Sequence, residues 1–382
     1  MQVKTVVVLL LFVVLLFSCG SDETAEYAVE NKVIENVLKL ELEFGADDNT
    51  LDSEYLLATP YSIAVTNEND ILVFDEDCIK VFNEKGKPIT LIGREGEGPG
   101  EFSGGSSWKI YISPSGYMSV LGGARFGINN VFAPDFSFVE RKNYIFTPPY
   151  KGIFDRLQLR PRIPYYIYAL NETDRIYLIE ASEIDSKSSP MKYYLVMVRK
   201  FGETYSELVR DELHRIKKGS MTSTDPTLGY FNFALLPENK IVYYDTQTYD
   251  NNAKYNLIVL SLENLEKTTI TYSYEPILFP EREIDSLRTL FGEMDGREYY
   301  PSLQRIMADN NFVFAFTNKT SIKDEIYVDI IDMKKYQYIC SAYFPFIPDV
   351  IKNGYAYKLI RAWGDTFASI QKYRIDPAVY GK

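Results

Sequence analysis

The side chains able to do chemistry are plentiful in this chain, but few are spaced for it. There are 53 Asp and Glu, 41 Lys and Arg, three Cys and a single His. His214 lies in a charged stretch and reads as a surface residue. One imidazole cannot build the several His or Cys ligands of catalytic zinc, and it leaves a Ser–His–Asp hydrolase without support elsewhere. Asp75 and Asp77 place carboxylates on one tight turn, the oxygen chemistry that calcium takes. No D-x-D-x-D-G loop surrounds them, so they read as turn carboxylates accepting backbone N–H groups, and no metal is expected. The glycine-rich stretch from Gly93 to Gly105 invites comparison with a phosphate cradle. It has no Gly-Lys-Ser/Thr, and Glu95, Glu97 and Glu101 would repel phosphate. No cofactor is expected. Glycoside chemistry needs an acid and a base or nucleophile across the substrate. With so many carboxylates the sequence selects no pair, and no catalytic residue is assigned.

Aromatic side chains are the stronger functional signal. The chain has 31 Tyr and 23 Phe. Many serve strand packing, since rings fit pleated surfaces. Trp108, Tyr165, Tyr166 and Trp363, with Arg125 and Arg361, form the candidate binding set: rings beside guanidinium groups suit sugars or an extended peptide. Tyr299 and Tyr300 are a further aromatic pair.

The elements that must carry these residues are strands. Six times an apolar, β-branched or aromatic run stops at a polar turn and a second run begins. The turns start at Asn67, Ser113, Asn171, Pro237, Asp309 and Lys352, roughly 40–70 residues apart, a spacing that with strand–turn–strand content marks a β-propeller. Blade one is clearest, with strands over Tyr61–Val65, Ile71–Phe74, Ile79–Phe82 and Pro88–Ile92. Its turns are rich in Gly, Asn, Asp and Pro. Blade two is expected over Trp108–Glu140, blade three over Tyr165–Arg210, blade four over Phe231–Tyr274 and blade five over Leu303–Phe344. The sixth repeat, Pro348–Ile375, yields only three strands. Val33–Phe44 alternates Leu and Glu and is predicted to supply the missing outer strand, closing the ring and covering two bare edges. Pro280–Met294 carries Ile284, Leu287, Leu290 and Phe291 at helical spacing and is predicted as an amphipathic helix within an insertion, Glu275–Tyr300. Lys142–Pro164, rich in proline, reads as a connector crossing one face of the ring. Irregular insertions of this kind are where propellers often bind.

The chain starts with Lys4 and an apolar run from Thr5 to Phe17, about 13 residues, too short to span a bilayer and suited to a signal peptide. Leu16, Phe17, Ser18 and Cys19 resemble the bacterial lipobox, which implies removal of residues 1–18 and lipidation of Cys19. The acidic stretch Gly20–Glu23 resembles surface-export tags of Gram-negative lipoproteins. Residues 19–32 are expected to be a flexible tether, and 33–382 the propeller. A formal charge of −12 with no basic run disfavours nucleic acid and direct adsorption to anionic lipid. Cys78 and Cys340 fall in blades one and five, too far apart for a disulfide, and are expected as free buried thiols.

Gly93, Gly96, Gly98, Pro99, Gly100, Glu101 and Phe102 follow the last strand of blade one. With Val73–Asp75 and Ile79–Phe82, they resemble the junction and strand pattern of NHL-type repeats. Together with Cys19, the chain resembles the six-bladed TolB-like/NHL-like propeller lipoproteins of Gram-negative bacteria. The sharp likeness covers roughly residues 59–105, and the later blades lack the Gly-Pro-Gly-Glu-Phe junction. The resemblance implies a fold and an envelope location, not a reaction. Physically, Gly93, Gly96, Gly98 and Gly100 let the chain turn sharply between blades, Pro99 stiffens the turn and Phe102 wedges between blades.

The expectation is therefore an all-β, six-bladed propeller of four-stranded antiparallel blades, monomeric and held to the outer membrane through Cys19, facing the periplasm or the surface. It would act as a binding module for a protein or glycan at one face. The alternative is a hydrolase or lyase using Asp and Glu in the axial pocket. An enzyme requires carboxylates converging there, whereas a binding module requires exposed rings and few converging acids.

Overall fold

Apolar runs without strict alternation recur in this chain, and the fold explains them: middle strands such as Ile71–Asp75 and Cys78–Phe82 are covered on both faces, whereas outer strands such as Pro88–Ile92 and Phe138–Asn143 are more exposed. The computed structural model describes residues 25–27, 32–46, 52–102, 108–122, 127–143, 154–155, 158–183, 192–199, 204–212, 215–218, 221–224, 231–244, 253–291, 299–362 and 367–382. They form six antiparallel sheets, each a meander of four strands. Blade one is Pro60–Val65, Ile71–Asp75, Cys78–Phe82 and Pro88–Ile92, and blade two is Lys109–Ile112, Met118–Gly122, Ile128–Phe132 and Phe138–Asn143. Blade three is Leu159–Ala169, Arg175–Glu183, Lys192–Arg199 and Thr204–Glu212. Blade four is Phe233–Leu236, Lys240–Tyr244, Lys254–Ser261 and Lys267–Ser273, and blade five is Leu303–Asp309, Phe312–Thr320, Ile326–Asp332 and Gln337–Phe344. Blade six takes Val350–Lys352, Tyr355–Ile360 and Ser369–Ile375 from the C-terminus and Leu38–Phe44 from the N-terminus. The chain is a six-bladed β-propeller.

The core is divided among the seams between successive blades. Along the second strand of blade one, Ile71 and Val73 pack with Tyr357 and Ile370 of blade six, while Leu72 and Phe74 pack with Trp108 and Val120 of blade two. Blade five repeats this: Val313 and Ala315 face blade four, and Phe314 and Phe316 face blade six. Period-two geometry thus sends alternate apolar side chains into opposite seams. A fully buried Val, Leu, Ile or Phe contributes about 1.5–3 kcal/mol.

The N-terminal segment closes the ring but does more than was expected of it. Leu38–Phe44 pairs antiparallel with Ser369–Ile375, from Leu38 opposite Ile375 to Phe44 opposite Ile370. Val33 and Ile34 pair instead with Ser341 and Ala342, parallel to the outer strand of blade five. The break falls at Asn36, whose φ of +55° no extended strand accommodates. Ala25–Tyr27 pairs parallel with Ile270–Tyr272 of blade four. These three residues, within the stretch expected as a tether, lie as a strap on the rim. Strap and outer strands run the same way.

Alternate connections of a meander lie at opposite ends of a blade. One end of the ring, the turn face, carries tight turns such as Thr66–Asp70 and Ser113–Tyr117, closed by N–H···O bonds of 2.9 and 3.0 Å. The other, the loop face, is where each outer strand ends and the next inner strand begins. The predicted helix is present as Glu281–Phe291, with Ile284 packed on Phe279 and Tyr300. The connector after blade two is shorter than expected, because strands extend to Asn143 and restart at Leu159. A hairpin, Arg215–Lys218 with Met221–Thr224, joins blades three and four and was not anticipated. Cys340 is buried and Cys78 half-buried, and both are free.

Candidate functional site

The inner strands surround an axial channel of about 960 Å3. Each blade contributes the first strand of its meander, so residues at the start of those strands line the loop-face mouth and residues of the following turns line the opposite end.

At the turn-face end the recurring turns of blades five, six, one, two and three are stitched to one another. Asn67 Nδ2 donates to the Pro114 carbonyl at 3.0 Å, and Lys352 Nζ donates to Asn67 Oδ1 at 2.8 Å. Asn353 Nδ2 donates to Asn69 Oδ1 at 2.8 Å, and Ser115 Oγ donates to the Leu170 carbonyl. Buried Asp309 accepts from the backbone N–H of Asn353 and Gly354 at 2.7 and 2.8 Å. Burial holds the Lys352 ammonium below the ordinary lysine range, with Asp309 and Glu68 partly restoring it. These contacts hold blades in register and absorb the polar groups at this end.

The inner strands between the two ends differ. Tyr111, Tyr166, Tyr168 and Phe233 form an aromatic arc across blades two to four, with Tyr111–Tyr166 and Tyr111–Tyr168 centroids both 5.3 Å apart and Tyr168–Phe233 5.6 Å apart. Tyr61 continues the lining in blade one. Three cations line the same channel: exposed Lys109 and Arg361, and half-buried Arg305. Lys109 Nζ lies 6.0 Å from the Tyr166 ring centroid, within cation–π range. Burial pushes the Tyr168 hydroxyl far above the ordinary phenol range, and the Arg305 charge pulls it partly back. This hydroxyl is therefore a donor at neutral pH.

Carboxylates are sparse in the channel. Among the described lining residues only Glu238 and Asp349 carry one, at opposite ends. Glu238 is paired with Lys240 at 3.0 Å, and Asp349 accepts the Leu359 N–H at 2.8 Å. Among the described residues no group of three or more His, Cys, Asp and Glu could hold a metal ion.

Of the predicted binding set, the channel brings together Tyr166 and Arg361. Trp108 is a correction: it is fully buried in the seam of blades one and two, stacked on Phe74 at 5.6 Å and edge-on to Phe102 at 5.0 Å. Gly122 makes room for it, since a Cβ there would stand 2.5 Å from the indole. Its ring is thus inaccessible to a ligand. Tyr165 is exposed but outside the channel lining. Arg125, Trp363, His214 and Cys19 lie outside the described residues. Tyr300 packs at a tilt on Phe279, ring centroids 3.9 Å apart, and donates to Glu283 at 2.7 Å. Lys109, Arg305, Tyr168 and Phe233 were missed. Their signal was position: each sits on an inner strand at a point facing the axis, visible only once the six inner strands are superposed.

The glycine junction is built as a wedge. Gly93 and Gly100 have φ of +72° and +74°. Phe102 is fully buried against Phe74, Trp108 and Phe132. Glu101 accepts from the Gly98 N–H at 2.8 Å and from Arg94 at 2.8 Å, which hold its carboxyl below the usual range. Asp75 serves not its own turn but the segment before blade one, accepting Ala58 and Thr59 N–H at 2.9 and 2.6 Å and buried Lys80 at 2.8 Å.

A family described as a 6-bladed beta-propeller matches residues 49–113. No curated protein matches the chain. Among solved structures, a Bacteroides fragilis protein described as exported aligns at 13% identity and TM-score 0.47, over 92% of this chain and 99% of its own. A gluconolactonase from Xanthomonas campestris aligns at 8% identity and TM-score 0.41, over 84% of this chain and 87% of its own. An oligogalacturonate lyase aligns at 9% identity and TM-score 0.38, over 85% and 91%. At these scores they assign neither a ligand nor a reaction to this chain.

Proposed function

We propose that this protein is a lipid-anchored, non-enzymatic binding module of the bacterial envelope, whose ligand is a carboxylate-bearing glycan seated in the loop-face mouth of the channel. The observation that carries the reading is the grouping of Lys109, Arg305 and Arg361 beside Tyr61, Tyr166, Tyr168 and Phe233 in a chain of net charge −12. Sugar rings stack on aromatic faces, and guanidinium groups grip carboxylates through paired charge-assisted bonds. Three cations are too few for a nucleic-acid backbone, which the overall charge repels. The hydrolase or lyase alternative requires two converging carboxylates, and among the described lining residues the two that carry one, Glu238 and Asp349, stand at opposite ends of the channel.

The lipid anchor rests on Leu16–Cys19 of the sequence. Among the described residues no helix is long and apolar enough to cross a membrane.

Two experiments test this. The mature chain is applied to a glycan array; uronate- or sialate-bearing glycans should be retained over neutral ones. Retention of neutral glycans alone, or capture of only a protein from native envelopes, contradicts the glycan reading. Cys19→Ala should release the chain from membranes; unchanged retention removes the anchor.

A further inference from the structure

A second cavity, of about 330 Å3, opens between the outer parts of blades four and five, away from the axis. Tyr272, Tyr274 and Glu275 line it from blade four, and Thr317, Lys319, Tyr327, Asp329 and Tyr338 from blade five. None of these residues lines the axial channel.

Asp329 is the unusual member. It is only 7% exposed, yet it borders the cavity. Its oxygens accept from Tyr255 Oη at 2.9 Å and from Ser341 Oγ at 2.6 Å, and Ser341 is within 2.6 Å of Tyr338 Oη. Among the described residues no Lys, Arg or His comes within ion-pair distance of it. A buried carboxylate held by hydroxyls alone lacks a compensating positive charge. Burial accordingly raises its pKa, and the hydroxyl bonds and more distant Lys319 offset this in part.

The rim already handles a cation. Lys319 Nζ sits 5.0 Å from the Tyr327 ring centroid and forms a 2.9 Å ion pair with Glu275. Counting Asp329, the cavity carries two carboxyl groups against one ammonium, with tyrosine rings as walls. Rings and carboxylates around one space are the chemistry that recognises an organic ammonium group. A neutral ligand would leave the buried carboxyl uncompensated, and an anion would add a like charge beside it.

We propose that this cavity binds a small organic cation, an alkylammonium or quaternary ammonium head, with Asp329 as its counter-charge and Tyr274, Tyr327 and Tyr338 as its walls. The site is separate from the axial mouth and independent of what that mouth binds. Entry of the cation would be opposed only at the rim, where Lys319 must stay with Glu275.

The test is calorimetric titration of the whole mature chain with choline and with its uncharged isostere, 3,3-dimethylbutanol. Choline should bind at least ~10-fold more tightly than the isostere, and Asp329→Asn should remove that preference. Equal binding of the two compounds, or no binding of choline to the wild-type chain, overturns the proposal without reference to any variant. An unchanged preference in a folded Asp329→Asn chain also overturns it, since the charge would then lie elsewhere.

Discussion

Ser369 Oγ donates a 2.7 Å hydrogen bond to Glu43 Oε1, across 326 positions of sequence. The contact lies where the two chain ends meet in blade six, beside the pairing of Gln371 with Glu43. Phe44 extends the closure by packing on Phe82 of blade one at 4.9 Å and over Gly86. Closure should therefore govern the stability of the whole ring. A chain starting at residue 46 should melt well below the full chain and self-associate through the bare edge of Ser369–Ile375. A chain starting at residue 32 should lose little, because it keeps Leu38–Phe44. Thermal melting with gel filtration checks both; equal melting temperatures would contradict the closure account.

The junction after blade one should tolerate no side chain at Gly93. A Cβ there would stand 2.3 Å from the Phe102 ring and 2.6 Å from the Gly100 carbonyl, at a φ of +72°. Gly93→Ala combines left-handed strain with overpacking, together about 2–4 kcal/mol. Phe102→Ala should cost about 3–5 kcal/mol through the cavity it leaves. Urea unfolding reads both.

Lys80 and Asp75 form a buried pair, with side chains 3% and 0% exposed. Lys80→Met strands the Asp75 carboxylate among its two backbone donors and should destabilise by about 3–5 kcal/mol. Adding Asp75→Asn to Lys80→Met removes the stranded charge and should recover part of the loss. A double-mutant cycle by chemical denaturation measures this coupling; strictly additive losses would deny the pairing.

How much of this was legible in the sequence follows from where side chains point. Turns such as Asn67–Asp70 and Ser113–Gly116 were readable because their residues favour the conformations turns need, so the blade count followed. The Leu–Glu alternation of Leu38–Glu43 revealed a one-sided outer strand, hence the closure. Val33 and Ile34 were misassigned because nothing local says which outer edge a short parallel strand will meet. Trp108 was misread because a ring beside a charged Lys109 looks exposed, whereas the Gly122 hollow that receives it lies across the sheet. Lys109 and Arg305 stand about 200 residues apart, and only ring closure brings such residues to one rim.

Asp329 should leave a mark on the pH dependence of stability. Burial raises its folded pKa above the unfolded value, so the folded chain holds this proton to higher pH. Its stabilising contribution is full below the ordinary carboxylate range and is lost as pH rises through the raised folded value. Asp329→Asn cannot titrate. The wild-type chain should therefore lose stability relative to Asp329→Asn as pH rises from about 4, then run parallel to it once Asp329 is ionised. Urea midpoints across this range check the sign; a wild-type gain with rising pH would reverse it.

The cationic mouth is the central assignment. Titration of an oligouronate into the mature chain, by calorimetry at low and high salt, tests it directly. The wild-type chain should bind, more weakly at high salt. Lys109→Ala, Arg305→Ala and Arg361→Ala should each weaken binding about 10-fold, as loss of a charge-assisted hydrogen bond would. Binding unchanged in the triple variant, or binding of the neutral oligosaccharide with equal strength, would contradict the assignment of this mouth as an acidic-glycan site.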